Sequence, residues 1–199
     1  AANNLGSAFF LTGRFEDAAE AWEQAIARTP TVDIYANLGA SYFFLQRFDE
    51  AATMYRKGLD LAPKHFEMWG NYGDALMAAG APDDERARAY LRAYELAEEN
   101  LRINPSDAIT LSLIGHYLAR LGRDEEALKN VKLALELAQK DIYVYYFSAI
   151  TLSTLNELDR AQQAADEALA LGYPQFMLDA DIGLQPLREQ LRSTQNTVR

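Results

Sequence analysis

Through most of the chain, apolar residues recur at spacings of three and four, the pattern of helices that each bury one face. Gly13, Gly80 and Gly122 interrupt the apolar stretches at points where glycine marks a turn between two helices. The pattern therefore predicts an all-α chain built from antiparallel helix pairs.

The pattern also repeats. Asn4-Leu5-Gly6, Asn37-Leu38-Gly39 and Asn71-Tyr72-Gly73 recur at intervals of 33 and 34 residues, followed by Ile114-Gly115 after 42 and Ser148-Ala149 after a further 34. A second position keeps the same rhythm: Ala18, Ala51, Ala93, Ala127 and Ala161 are 33, 42, 34 and 34 residues apart. Both series contain a single insertion, which this alignment places between Gly80 and Ala93. There Ala81-Pro82-Asp83-Asp84-Glu85 reads as a turn entering a helix with acidic residues at its positive end. The helix that follows, running to Asn104, should be about two turns longer than its counterparts and should protrude. A helix pair cannot bury its apolar face alone, so stacking is implied, with Gly and Ala where backbones meet and Phe15, Trp22, Phe48 and Tyr55 filling wider gaps.

These residues resemble the tetratricopeptide-repeat (TPR) family, whose pattern runs aromatic, Leu-Gly, aromatic, Ala, aromatic, Pro. The second repeat carries the resemblance in Tyr35, Leu38, Gly39, Tyr42, Ala51, Tyr55 and Pro63, and the first in Leu5, Gly6, Phe9, Ala18, Trp22, Ala25 and Pro30. The third keeps Trp69, Tyr72, Gly73, Leu76, Ala93 and Pro105; the fourth keeps Gly115, Leu118, Gly122, Ala127 and Ala134. The fifth, with Tyr145, Ala149, Leu152, Ala161, Ala165 and Ala168, is the most degenerate. The resemblance implies a right-handed α-solenoid of five repeats, at about residues 1–30, 31–63, 64–105, 106–139 and 140–173. After Leu171 the pattern stops, and residues 174–199 are expected to form a C-terminal capping helix and tail, with Leu184-Gln185-Pro186-Leu187-Arg188 opening the helix.

Charge and composition narrow the function. The net charge of -10 is spread, with 10 Lys and Arg against 16 Asp and Glu in residues 1–105 and 9 against 13 thereafter. No basic stripe could displace counterions from phosphates, which argues against nucleic acid as a partner. With no Cys there is neither a disulfide framework nor thiolate chemistry. No run of some eighteen apolar residues suggests insertion into a membrane. The two His, His65 and His116, form no catalytic pattern with other residues, and neither a phosphate loop nor a calcium loop is present. No cofactor, metal site or catalytic activity is expected. The chain opens inside a helical pattern without an initiator Met, which suggests a segment of a longer polypeptide. The cytoplasm is the expected compartment, with the periplasm the alternative if a membrane-spanning parent carries the chain.

What remains is a protein-interaction scaffold. In TPR proteins the position of Asn4, Asn37 and Asn71 faces the concave groove, and a carboxamide can both donate to and accept from a peptide backbone. This resembles the asparagine ladder of O-linked N-acetylglucosamine transferase, with three rungs, since Leu113 and Phe147 take the later places. The same helical phase puts Ala36, Ala40, Phe43, Asp74 and His116 on the groove, with Phe43 either an anchor for a partner or core between repeats. Asp33, Glu67 and Asp74 suit a basic or amine-bearing peptide. Two other readings stay open. The chain could be the regulatory or sensory region of a larger bacterial signalling protein, a kinase, cyclase or transcription regulator, or a homo-oligomer that associates through its first helix or its long third-repeat helix.

Overall fold

The computed structural model describes residues 2–138 and 140–197, and the side chains of 3–138 and 140–193. Among the described residues there are twelve α-helices, one 3-10 turn and no strand. The chain divides into two compact units, Ala1–Leu96 and Ala97–Arg199, and the boundary falls inside the sixth helix.

The first unit contains α1 (Ala2–Phe10), α2 (Phe15–Ile26), α3 (Val32–Phe44), α4 (Phe48–Leu61), α5 (Phe66–Ala78) and most of α6 (Asp83–Ile103). α1 folds back on α2 and α3 on α4, while α2 packs on α3 and α4 on α5, so consecutive helices form one layered stack. Its core runs through Trp22, Leu38, Ala51, Tyr55 and Met68, all buried. The second unit contains α7 (Ala108–Arg120), α8 (Asp124–Leu137), α9 (Ile142–Thr154), α10 (Leu158–Ala170), α11 (Gln175–Ala180), the 3-10 turn Ile182–Leu184 and α12 (Gln185–Thr197). α7 pairs with α8 and α9 with α10, and Leu111, Ala134, Ala138 and Val144 form one of its core clusters.

One turn is used five times within the pairs. Gly13, Gln46, Gly80, Gly122 and Asn156 all have positive φ, between 59° and 75°. In each case the next residue's N–H donates to a carbonyl five residues back: Arg14 to Phe9 at 2.9 Å, Arg47 to Tyr42 at 2.8 Å, and Ala81 to Leu76, Arg123 to Leu118 and Glu157 to Leu152 at 2.9 Å. This is the Schellman closure, which satisfies the orphan carbonyls of the first helix and points the chain into the second. Where the second helix begins, an ion pair spans its first turn: Arg14 with Asp17, Arg47 with Glu50, Arg123 with Glu126, and in the fifth pair, with the signs exchanged, Glu157 with Arg160. The first helices of the later pairs are capped by side chains instead, Thr31, His65, Asp107 and Asp141 accepting from N–H groups two or three residues on.

The long helix is present, 21 residues against 14 for α4 and 14 for α8, but its extra length is not where the alignment put it. A Cβ on Gly39 would stand 2.7 Å from the Tyr55 ring, and one on Gly73 would stand 2.7 Å from the Tyr90 ring, so Tyr90 is the counterpart of Tyr55. Counting from those rings, Ala93 occupies the place of Gly58, and Arg86 that of Ala51. Most of the insertion therefore extends the C-terminal end of α6, where Arg102, Ile103 and Asn104 are exposed.

The C-terminal segment packs back on α9 and α10 through α12 and the 3-10 turn. Leu184 and Leu187 are buried there, as are Met177 and Leu178 of α11. α11 begins 33 residues after α9, so the cap keeps the repeat's step although its sequence pattern is lost. Asp181, itself buried, holds this segment: it accepts from the Tyr146 hydroxyl and, at 2.7 Å, from the Gly183 N–H, while its own carbonyl accepts from Arg188 at 2.7 Å. Tyr146 also stacks on Tyr173, ring centres 4.4 Å apart. The tail's last two residues, and residue 139 at the expected end of the fourth repeat, lie outside the described residues.

Candidate functional site

In the first unit, Gly6, Gly39 and Gly73 let α1, α3 and α5 sit directly on the rings of Trp22, Tyr55 and Tyr90. A side chain two residues earlier is turned about 200° around the helix, since each residue advances about 100°. Asn4, Asn37 and Asn71 therefore point away from these seams. Asn4 and Asn71 are exposed and Asn37 is half-buried. α1 touches α3, and α3 touches α5, so the three Asn stand on adjoining helices. The carboxamide that the structure commits to a partner in α1 is that of Asn3, which accepts from Trp22 Nε1 at 2.9 Å.

On α3, Ala36 and Ala40 lie one turn apart beside Asn37 and are half-buried, leaving a shallow surface between larger neighbours. Phe43 ends this row. It is half-buried on the core cluster and meets Phe48 edge-on, ring centres 5.4 Å apart, so most of its surface belongs to the fold. On α5, Glu67, Asn71 and Asp74 share a face, with Asp33 exposed at the start of α3. Asp74 Oδ1 accepts from the Tyr90 hydroxyl at 2.7 Å, which occupies one carboxylate oxygen within the unit. Glu67 lies 3.0 Å from His65 Nδ1, and this hydrogen bond, foremost, raises the His65 pKa. The same Nδ1 accepts from the Met68 N–H at 3.4 Å when the ring is neutral. Protonation thus exchanges the α5 cap for a pair that neutralises Glu67.

His116 presents almost no surface to a ligand. It lies in the second unit, is 4% exposed and packs edge-on against Tyr117, ring centres 5.9 Å apart. Every residue from Thr110 to Ala119 in α7 is buried, so helical phase alone distinguishes no open face there. A hollow of about 600 Å3 in the second unit opens elsewhere, between α8, α9 and α10, with Arg160, Asp166 and Glu167 around Leu135 and Leu152. It holds charges of both signs and lacks an Asn row. Among the described residues, no cluster of three or more His, Cys, Asp or Glu could hold a metal, and no helix is long and apolar enough to cross a membrane.

Three stretches of the chain, residues 1–32, 36–100 and 109–141, match family models described as tetratricopeptide repeat, and together they cover more than half of the sequence. The chain belongs to the tetratricopeptide-repeat family. No curated protein matches it by sequence. Among solved structures, a thermophilic TPR protein of Thermus thermophilus is 21% identical, with 89% of this chain and 93% of that one covered and a TM-score of 0.64. MamA from Desulfovibrio magneticus is 18% identical, with 85% and 92% covered and a TM-score of 0.51. At these identities the likeness concerns the fold. That fold, the TPR solenoid, generally serves protein–protein interaction through the surfaces its stacked helices expose.

Proposed function

We propose that this TPR protein is an interaction scaffold that binds an extended peptide segment of a partner across the α1, α3 and α5 faces of its first unit. The observation that carries this reading is the placement of Asn4, Asn37 and Asn71 opposite the glycine seams, on adjoining helices and accessible to a ligand. Each carboxamide can meet a peptide N–H and C=O together, which fixes the peptide backbone without reading its side chains. An extended peptide advances about 3.3 Å per residue, so helices spaced about 10 Å apart would meet roughly every third residue. The low rows at Ala36 and Ala40 admit the backbone closely. Asp33 and Glu67, both exposed, favour basic side chains in the peptide.

Selection of a displayed random-peptide library on the intact protein tests this. Enriched sequences should contain Lys or Arg, and the Asn37→Ala/Asn71→Ala variant should bind them at least tenfold more weakly while its far-UV circular dichroism stays unchanged. Equal affinity for wild type and double variant would refute the reading.

A further inference from the structure

The hollow between α8, α9 and α10 has a cause in the sequence. α9 and α10 follow α3 and α4 in the same register, so that Asn156 and Gln46 hold the same turn with positive φ. In the first unit the corresponding space is filled. Tyr42 is buried, with its hydroxyl on Glu23 at 2.5 Å and the Arg47 guanidinium 4.3 Å from its ring centre, and Met54 packs on the core cluster. In the second unit Leu152 stands in the place of Tyr42, and Ala164 in that of Met54. A phenol and a thioether are both gone, and a space of about 600 Å3 opens over Leu152, Tyr145 and Leu135. Cavities of about 300 to 1,000 Å3 are the size that holds a small molecule.

The charges around the space are exchanged as well. Glu157 and Arg160 replace Arg47 and Glu50, which brings a guanidinium to the hollow, and Asp166 and Glu167 replace Arg56 and Lys57. Arg160 and Glu157 stand 3.5 Å apart with both side chains 42% exposed, a loose pair that sets a cation beside an anion. Asp166 accepts from Gln162 Nε2 through Oδ1 at 2.6 Å, which leaves its Oδ2 to a ligand. α9 and α10 run antiparallel from the turn at Asn156, so Leu152 lies at the Arg160 end of the hollow and Tyr145 at the Glu167 end. One end therefore offers a cation and an anion together, the other an aromatic ring with two carboxylates, and the floor between them is apolar. Arg160 and Glu167 lie on one stripe of α10, about 10 Å apart along its axis.

We propose that this hollow binds a free basic α-amino acid, with arginine the best fit. The ligand's guanidinium lies at the Tyr145 end, where the ring attracts a cation and the carboxylates of Asp166 and Glu167 accept its N–H groups. Its aliphatic stem rests on Leu152 and Ala164. Its α-carboxylate meets Arg160, and its α-ammonium meets Glu157. The carboxyl and guanidinium carbons of an extended arginine are separated by about 7 Å, and a hydrogen bond at each end makes up the rest of the span. An amino acid with a neutral side chain leaves Asp166 and Glu167 without a counter-charge, and the C-terminus of a polypeptide lacks the α-ammonium. The site belongs to the second unit and does not depend on the peptide-binding role proposed for the Asn row.

The test is a titration of the intact, isotope-labelled protein with L-arginine, followed by amide shifts and by calorimetry. Saturable shifts are expected at Tyr145, Ala164 and Glu167. Citrulline, which keeps the shape without the charge, and agmatine, which lacks the carboxylate, should each bind at least tenfold more weakly than arginine. Arg160→Gln should bring arginine down to the level of agmatine, and Glu167→Gln should weaken both. Ala164→Met restores the residue of the first unit's filled groove and should abolish binding while thermal melting holds. The Asn37→Ala/Asn71→Ala variant should bind arginine as wild type does, so failure here and failure of the Asn row are read separately. An absence of saturable shifts at millimolar arginine, or undiminished binding by Ala164→Met and Glu167→Gln, would overturn the proposal. So would Nα-acetylarginine binding as tightly as arginine, because the occupant would then be the end of a polypeptide.

Discussion

At the scale of single residues, the packing is decided by where a Cβ is forbidden. A methyl on Gly6, Gly39 or Gly73 would stand 2.6 to 2.7 Å from Trp22, Tyr55 or Tyr90, and rings fixed in a core cannot move aside as a flexible chain end can. Gly39→Ala gains up to about 1 kcal/mol in helix propensity, yet the overpacking costs about 1 to 3, so the net effect should be destabilising. Urea midpoints should show a loss for Gly39→Ala and, in a cycle with Tyr55→Val, a favourable coupling of at least about 0.5 kcal/mol, because Gly115 already faces a valine, Val131. Strictly additive losses would mean the ring is not the obstacle. The glycines themselves were legible in the sequence, since their register repeats. The burial of His116 was not, because periodicity reports which way a side chain points along its own helix and nothing about what covers it. The engagement of Asp74 was hidden for a related reason: its partner Tyr90 lies in α6, where the alignment shifts the register by the length of the insertion.

At the scale of elements, the turns set the repeat as firmly as the core does. Gly13, Gly80 and Gly122 announced three of the five Schellman turns, and Gln46 and Asn156 concealed the others, since neither residue is an obvious breaker. Asn tolerates the left-handed region through its short polar side chain, but Gln at φ 59° bears the steric cost of a Cβ there. Gln46→Gly should therefore stabilise the protein by about 0.5 to 1 kcal/mol, net of the extra freedom glycine gives the unfolded chain. Asn156→Gly should change it less. Thermal melts of the two variants would check the order, and a destabilised Gln46→Gly would mean that the side chain makes up for its backbone strain. The insertion shows why element boundaries are harder to read than element types. Ala89, Ala93 and Ala97 are all buried in α6, so an alanine alone cannot say which turn of the helix it marks; the ring under Gly73 can. Asp181 was likewise unreadable in role, since its carboxylate is used by Tyr146, 35 residues earlier in the chain.

At the scale of the molecule, both compact units bury phenols that must stay protonated. Burial, foremost, raises Tyr55 and Tyr72 in the first unit, and pushes Tyr42 there up to about 12, with Glu23 adding to the effect. In the second unit burial raises Tyr146 and Tyr173, and the Asp181 carboxylate adds to both. The ordinary tyrosine value is 10.0, so the unfolded chain releases these protons near pH 10 while the folded chain retains them. A folded pKa above the unfolded one gives a contribution that is complete below pH 10 and is lost as pH climbs beyond it. Each such tyrosine steepens the loss by up to about 1.4 kcal/mol per pH unit. Urea midpoints should accordingly fall sharply between pH 10 and 11 and hardly at all between pH 8 and 9. Lysines titrate in the same range, so the assignment needs a variant that removes one phenol and little else. Tyr55→Phe keeps the ring that Gly39 rests on and deletes the proton, and its stability should decline less steeply above pH 10 than that of the parent. An identical slope would mean that the Tyr55 phenol reaches solvent and ionises in the folded state, and would remove the seam between α3 and α4 from the account of alkaline unfolding.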